Sequence, residues 1–359
     1  MTKLFVFASK YMSEPIRNAL LALFVFCSFQ NCAMALEPLP ALKADARNVT
    51  VSGLSSGGFM AIQFHVAHSS TVRGAGILAG GPYYCAQDMS LLAVSACMSP
   101  TVFFPVPPLE RLVREVNTQA AKKNIDAPEQ LATSRVWLFS GARDSTVKTE
   151  VVDLTYDFYR TWLPASSILY ERIPDAGHAM LNPDAKDANE CHVTASPYIN
   201  HCGNFDAPAH LLAHLLGPLK SRVSVAQGEL LTFDQQEFAQ DVGSIDMDAK
   251  GYVYIPKDCR GGKCGVHIAF HGCDQQAQAV GEIYAKEAGY NNWAESNRLV
   301  VLYPQTVKSP ANPHGCWDWW GYTGSDYHLR SAPQIKAVKT MLDRLTDTSN
   351  KAKIKRRRD

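Results

Sequence analysis

A serine flanked by glycines, Gly53-Leu54-Ser55-Ser56-Gly57, lies between a β-prone run at 48–52 and a stretch at 59–68 that reads as helix. This G-x-S-x-G pattern constrains the chain more than any other feature, because it demands a sharp strand-to-helix turn. A serine on such a turn holds a sparsely populated backbone conformation, and flanking glycines remove the side chains that would collide there. The hydroxyl then stands at the C-terminal edge of a sheet, beside the positive end of the helix. Ser55 is the candidate nucleophile.

A serine hydroxyl attacks weakly until a base takes its proton. His178, in Ile173-Pro174-Asp175-Ala176-Gly177-His178, follows a strand-like run at 167–173 on a glycine-containing loop and is the candidate base. The orienting carboxylate is expected after another core strand, in the chain order Ser…Asp…His. Asp144, which follows the apolar run RVWLFS at 135–140, meets that description. Asp175 is the rival, although a residue three before the base on one loop rarely reaches round to Nδ1.

The remaining pattern supports an α/β chain. Apolar runs at 72–79, 135–140 and 167–173 alternate with helical stretches such as 109–123, which predicts a mostly parallel sheet with helices on both faces. After Leu216 the segments 229–233 and 251–255 read as antiparallel edge strands. The runs VHIAF at 266–270 and LVVLY at 299–303 read as core strands separated by a helical segment at 279–297. An amphipathic helix at about 331–345 closes the pattern.

Acyl transfer also needs donors aimed at the developing oxyanion, each worth about 2.7–4 kcal/mol of barrier. One is the N–H of the residue after the nucleophile, Ser56. The second normally comes from a His-Gly loop after an earlier strand, yet no such loop precedes Ser55. One occurs far downstream, where 266–270 runs into His271-Gly272-Cys273-Asp274. A plain tight turn is the other reading of that segment. If the segments from Glu229 onward are the first strands of the sheet, joining the C-terminus to Asn48 restores the usual order. The fold class expected is a circularly permuted α/β-hydrolase.

Export is legible at the N-terminus. Lys3, Lys10 and Arg17 precede the apolar stretch at 19–29, which is too short to span a bilayer, and Ala33-Met34-Ala35 offers a cleavage site. Residues 1–35 are expected to be a signal peptide, 36–347 the catalytic domain and 348–359 a basic disordered tail. A secreted or periplasmic protein follows, with no stable membrane insertion after cleavage. Outside the signal, eight cysteines remain. Locality suggests Cys85–Cys97, Cys191–Cys202 and Cys259–Cys264, which leaves Cys273–Cys316. A zinc site is the rival, but no two of these cysteines form a C-x-x-C pair. A formal charge of +1 gives no general attraction to nucleic acid or anionic membrane. No metal or organic cofactor is expected.

The segments GLSSGGFMA, GARD, DAGH, FHGC and GCWDWWGYTG stand in an order and at spacings that resemble the poly(3-hydroxybutyrate) depolymerases with a single permuted catalytic domain. The resemblance covers roughly 48–345. It implies that the N–H of Cys273 is the second oxyanion donor. It also implies that a tryptophan after the last cysteine lines the pocket for a 3-hydroxybutyrate unit. Trp317 matches best; Trp319 and Trp320 follow it, and as plain residues those two read equally as core aromatics. The function expected is a serine esterase that cleaves this polyester or its oligomers through an acyl-enzyme. A feruloyl or acetyl-xylan esterase on the same triad is the alternative, and a non-catalytic polymer- or granule-binding protein is the alternative of another class.

Overall fold

The apolar runs become strands in a computed structural model that describes residues 36–239 and 241–347. Residues 1–35, expected to direct export and holding Cys27 and Cys32, and the basic run at 348–359 lie outside the described residues. In chain order the strands are β1 (Val49–Leu54), β2 (Val72–Leu78), β3 (Arg135–Gly141) and β4 (Ile168–Ile173), followed by three short ones. These are β5 (Met180–Leu181), β6 (Asn189–Glu190) and β7 (Ile199–His201). The last four are β8 (Glu229–Asp234), β9 (Lys250–Ile255), β10 (Gly265–Phe270) and β11 (Leu299–Tyr303).

Eight strands form one sheet in the order β4-β3-β2-β1-β10-β11-β9-β8. All neighbouring pairs from β4 to β11 are parallel, and β9 is antiparallel to both of its neighbours. Counted from β8 through the C-terminus and back into β1, the order across the sheet is 1-2-4-3-5-6-7-8. That is the α/β-hydrolase order, with Ser55 after the fifth strand. The first and last described segments meet as the permutation requires: the N–H groups of Leu42 and Ala44 donate to Leu345 O at 3.3 and 3.0 Å. One expectation needs correction. β9 lies inside the sheet between β11 and β8, so of the two predicted edge strands only β8 is an edge.

The helices are α1 (Ser56–Ala67), α2 (Ser90–Val94), α3 (Leu109–Ala121), α4 (Thr149–Arg160) and α5 (Ala207–Leu216). They continue with α6 (Ala277–Val280), α7 (Ile283–Glu287), α8 (Tyr290–Asn297) and α9 (Pro333–Thr346). Every residue of α1 is buried. A helix apolar on all sides belongs inside a core rather than on its surface, which fixes the nucleophile's helix rigidly. The single helical segment expected at 279–297 is instead three short helices. Gly281 (φ 62°) and Gly289 (φ 93°) take left-handed conformations that end one helix before the next begins.

Among the described residues four disulfides join Cys85–Cys97, Cys191–Cys202 and Cys259–Cys264, the pairs that locality suggested, and Cys273–Cys316, the pair that remained. Among the described residues no helix is long and apolar enough to cross a membrane.

Candidate active site

Ser55 sits between β1 and α1 with φ 57° and ψ −123°, a conformation that costs about 1–3 kcal/mol for a residue bearing a side chain. The turn is held by Ser55 N–H, which donates to Leu78 O on β2 at 2.9 Å. The two motif glycines are sterically required. A Cβ at Gly53 would lie 2.1 Å from Gly57 O, and one at Gly57 would lie 2.3 Å from Phe270 O and 2.4 Å from His271 O. Gly57 therefore lets α1 press against the end of β10.

The candidate base, His178, is built on a platform of its own. β5, β7 and β6 form a small parallel sheet bracketed by Cys191–Cys202. Gly177 N–H donates to Cys191 O at 2.8 Å, and His178 N–H donates to Thr194 Oγ1 at 3.0 Å. His178 Nδ1 stands 2.7 Å from Asp144 Oδ2, with both side chains almost fully buried. Asp144 is itself fixed, because its Oδ1 accepts the N–H groups of Thr146 (2.8 Å) and Val147 (2.9 Å). With Asp144 as acceptor, Nδ1 carries the proton and Nε2 keeps its lone pair. Asp175 points to solvent and pairs with Arg143 at 3.3 Å, away from the imidazole. Ser55 and His178 face the same cavity, and among the described residues no hydrogen bond joins the hydroxyl to the ring. In unliganded hydrolases that contact commonly tightens only with substrate.

The His-Gly loop after β10 lies directly beside Ser55. A Cβ added at Gly272 would sit 3.5 Å from Ser55 Cβ. His271 accepts Thr306 N–H at Nε2 (3.2 Å) and so donates from Nδ1 to Gly272 O (2.7 Å). Burial holds this imidazole down at about 4, so it is neutral in neutral solution. Gln275 clamps the loop: its Oε1 accepts Gly272 N–H at 2.8 Å. Its Nε2 donates to Pro197 O (2.9 Å) and Tyr198 O (3.2 Å) on the histidine platform. The N–H groups of Ser56 and Cys273 donate to no acceptor among the described residues. Cys273–Cys316 then ties this loop to the tryptophan-rich segment.

Ser55, His178 and Cys273 open into a cavity of about 530 Å³. Its apolar lining includes Phe59, Ala93, Val94, Met98, Trp319 and Trp320. Trp317, the residue favoured as the pocket tryptophan, does not line it. Its ring is wholly buried against Phe270 and His271, at centroid distances of 5.0 and 5.4 Å. Trp319 lines the cavity instead and stacks on Phe59 at 4.0 Å, and Trp320 lines it as well. Alternate residues of an irregular loop face in different directions, and no sequence period says which.

Sequence reasoning missed Thr194, Gln275 and the α2 wall. Two of these act through single polar side chains in loops, which carry no pattern. The third was detectable as an apolar stretch inside the Cys85–Cys97 loop.

No protein-family model matches the chain. Over 314 residues it is 42% identical to a poly(3-hydroxybutyrate) depolymerase of Delftia acidovorans, a match covering 86% of this chain and 61% of that protein. The chain thus spans less than two thirds of the Delftia protein. A polyhydroxybutyrate depolymerase of Talaromyces funiculosus is 30% identical over 322 residues, covering 85% of this chain and 91% of that protein. Among solved structures, the PHB depolymerase of Penicillium funiculosum superposes with a TM-score of 0.78 at 29% identity, covering 86% of this chain and 98% of that one. A serine-to-alanine PHB depolymerase complexed with an R3HB trimer gives the same TM-score, identity and coverage.

Proposed function

The chain belongs to the poly(3-hydroxybutyrate) depolymerase family, and from that premise we propose that it hydrolyses poly(3-hydroxybutyrate) or its oligomers, with Ser55, His178 and Asp144 as the catalytic triad. His178 takes the Ser55 proton as Oγ attacks the ester carbonyl. The N–H groups of Ser56 and Cys273 receive the oxyanion. His178 then protonates the leaving alcohol, and water, deprotonated in turn by His178, releases the 3-hydroxyacyl group from the serine. Asp144 holds the imidazole in the tautomer this cycle requires and stabilises its charged form.

The observation that carries the proposal is the 2.7 Å contact between His178 Nδ1 and Asp144 Oδ2 at the wall of the cavity into which Ser55 opens. The cavity's mainly apolar walls suit an aliphatic ester chain, and Trp319 takes the place first expected of Trp317. We further propose that residues 1–35 direct export and that the protein works outside the cytoplasm, which four disulfides favour.

Product analysis on amorphous polymer with wild type and Ser55→Ala tests the reading. The wild type is expected to release 3-hydroxybutyrate units, and the variant is expected to fold and lose nearly all turnover. A parallel panel of feruloyl and acetyl esters sets the substrate class, since preference for those over 3-hydroxybutyrate oligomers would overturn it.

A further inference from the structure

Asp318 lies between the core residue Trp317 and the cavity residues Trp319 and Trp320, and it is 1% exposed. Its Oδ1 accepts the main-chain N–H groups of Trp320 (3.2 Å), Gly321 (2.7 Å) and Tyr322 (3.2 Å). Its Oδ2 accepts the N–H of Thr323 (2.8 Å) and the Thr323 hydroxyl (2.6 Å). Five donors on one carboxylate wrap residues 320–323 into a turn centred on a single side chain.

The hub is itself anchored to the core. Asp318 N–H donates to Gln334 Oε1 on α9 at 2.9 Å, and Asp318 O accepts from Gln63 Nε2 on α1 at 2.9 Å. Trp319 is pressed on Phe59 of α1 with ring planes 15° apart, and Trp320 meets Trp319 nearly edge-on at 5.5 Å. The donors to Asp318 are all neutral, so burying its charge carries a desolvation cost that an apolar turn would avoid. Such a costly hub is intelligible if the placement of the two tryptophans matters to the cavity.

We infer that Asp318 is a positioning residue for substrate selection: its carboxylate fixes Trp319 and Trp320, and through them the wall that receives the ester chain beyond the scissile bond. The inference rests on the polyester reading given above. A small ester that occupies only the reacting centre does not need this wall. A longer oligoester does.

The test compares a soluble 3-hydroxybutyrate trimer with p-nitrophenyl acetate, and adds the rate of phosphonate labelling at Ser55. Asp318→Asn retains an acceptor for residues 320–322 and turns an amide NH2 toward the donors of Thr323. Its KM for the trimer is expected to rise about tenfold, the scale of one lost aromatic contact. Its acetate turnover and labelling rate are expected within about twofold of wild type. Thr323→Val, which removes one donor, is expected to raise the trimer KM by about threefold with the same split. It carries the test if Asp318→Asn fails to fold. Equal losses on both esters, or an unchanged trimer KM in a folded variant, would overturn the inference. A wild type active on acetate and inactive on the trimer would overturn the polyester reading, and this inference with it.

Discussion

Replacing Asp144 by asparagine isolates the electronic part of the triad from its shape. The two N–H groups of Thr146 and Val147 both point at Oδ1. An asparagine that keeps its oxygen there turns its NH2 toward His178 Nδ1, where a proton already sits. The opposite rotamer would set the NH2 against two main-chain donors in a site closed to water, so the first arrangement prevails. The imidazole answers by moving its proton to Nε2, the nitrogen that has to receive the Ser55 proton. With the side chain of residue 144 fully buried, no water replaces the lost acceptor. The same exchange in a serine triad lowers kcat by about ten-thousandfold, roughly 5.5 kcal/mol of barrier.

Pre-steady-state hydrolysis of a p-nitrophenyl ester, with thermal unfolding measured in parallel, reads this out. The expectation is a collapse in acylation rate with KM little changed and the unfolding transition retained. Asp175→Asn is the matched control. Its carboxylate is exposed and paired only with Arg143 at 3.3 Å, so activity is expected within about twofold of wild type. An Asp144→Asn enzyme within tenfold of wild type would refute the reasoning, because some other group would then have to orient the ring.

Three further outcomes follow from the same geometry. Gln275→Leu removes the link between the Cys273 loop and the histidine platform, and kcat is expected to fall by about tenfold to a hundredfold, part of the value of one oxyanion donor; steady-state kinetics on a small ester measure it. Cys316→Ser opens a closure of 43 residues and is expected to cost about 4 kcal/mol in the chain-entropy account, to be measured by urea unfolding under non-reducing conditions. Acid is expected to destabilise the fold between about pH 6.5 and 4. Burial lowers His65 and His267 to about 3 and His271 to about 4, so in this window the unfolded chain binds protons that the folded one refuses. Stability therefore falls as pH falls, by about 1.4 kcal/mol per unit for each of these histidines at the steepest point; a flat urea midpoint across that range would contradict it.

What the sequence made legible, and what it hid, divides along physical lines. The nucleophile turn is local, since its glycines and its strand and helix are contiguous, and the apolar runs of β1, β2, β3, β10 and β11 mark buried strands. The displaced His-Gly loop was enough to infer a permuted sheet order. The two- and three-residue strands β5, β6 and β7 are too short to show a period, so the platform under His178 was invisible. Trp317 turns into the core and Trp319 toward the cavity on an irregular loop, where no period in the sequence marks which residue faces which way. Gly281 and Gly289 were visible as glycines, but their left-handed conformations follow from packing rather than from composition.

Because the chain enters its sheet at the fifth strand, synthesis delivers the three residues of the proposed triad long before the strand that must lie beside them. Thr50 and its buried partner His267 are 217 positions apart. A nascent polypeptide that has passed residue 178 carries Ser55, Asp144 and His178, yet one side of β1 is still open and the Cys273 amide has not been made. Such an intermediate has an unsealed apolar strand edge, which invites aggregation. It also has no complete cradle for a tetrahedral intermediate. On the proposed reading, ester cleavage has to wait until β10 has paired with β1 and so brought the Cys273 loop beside Ser55.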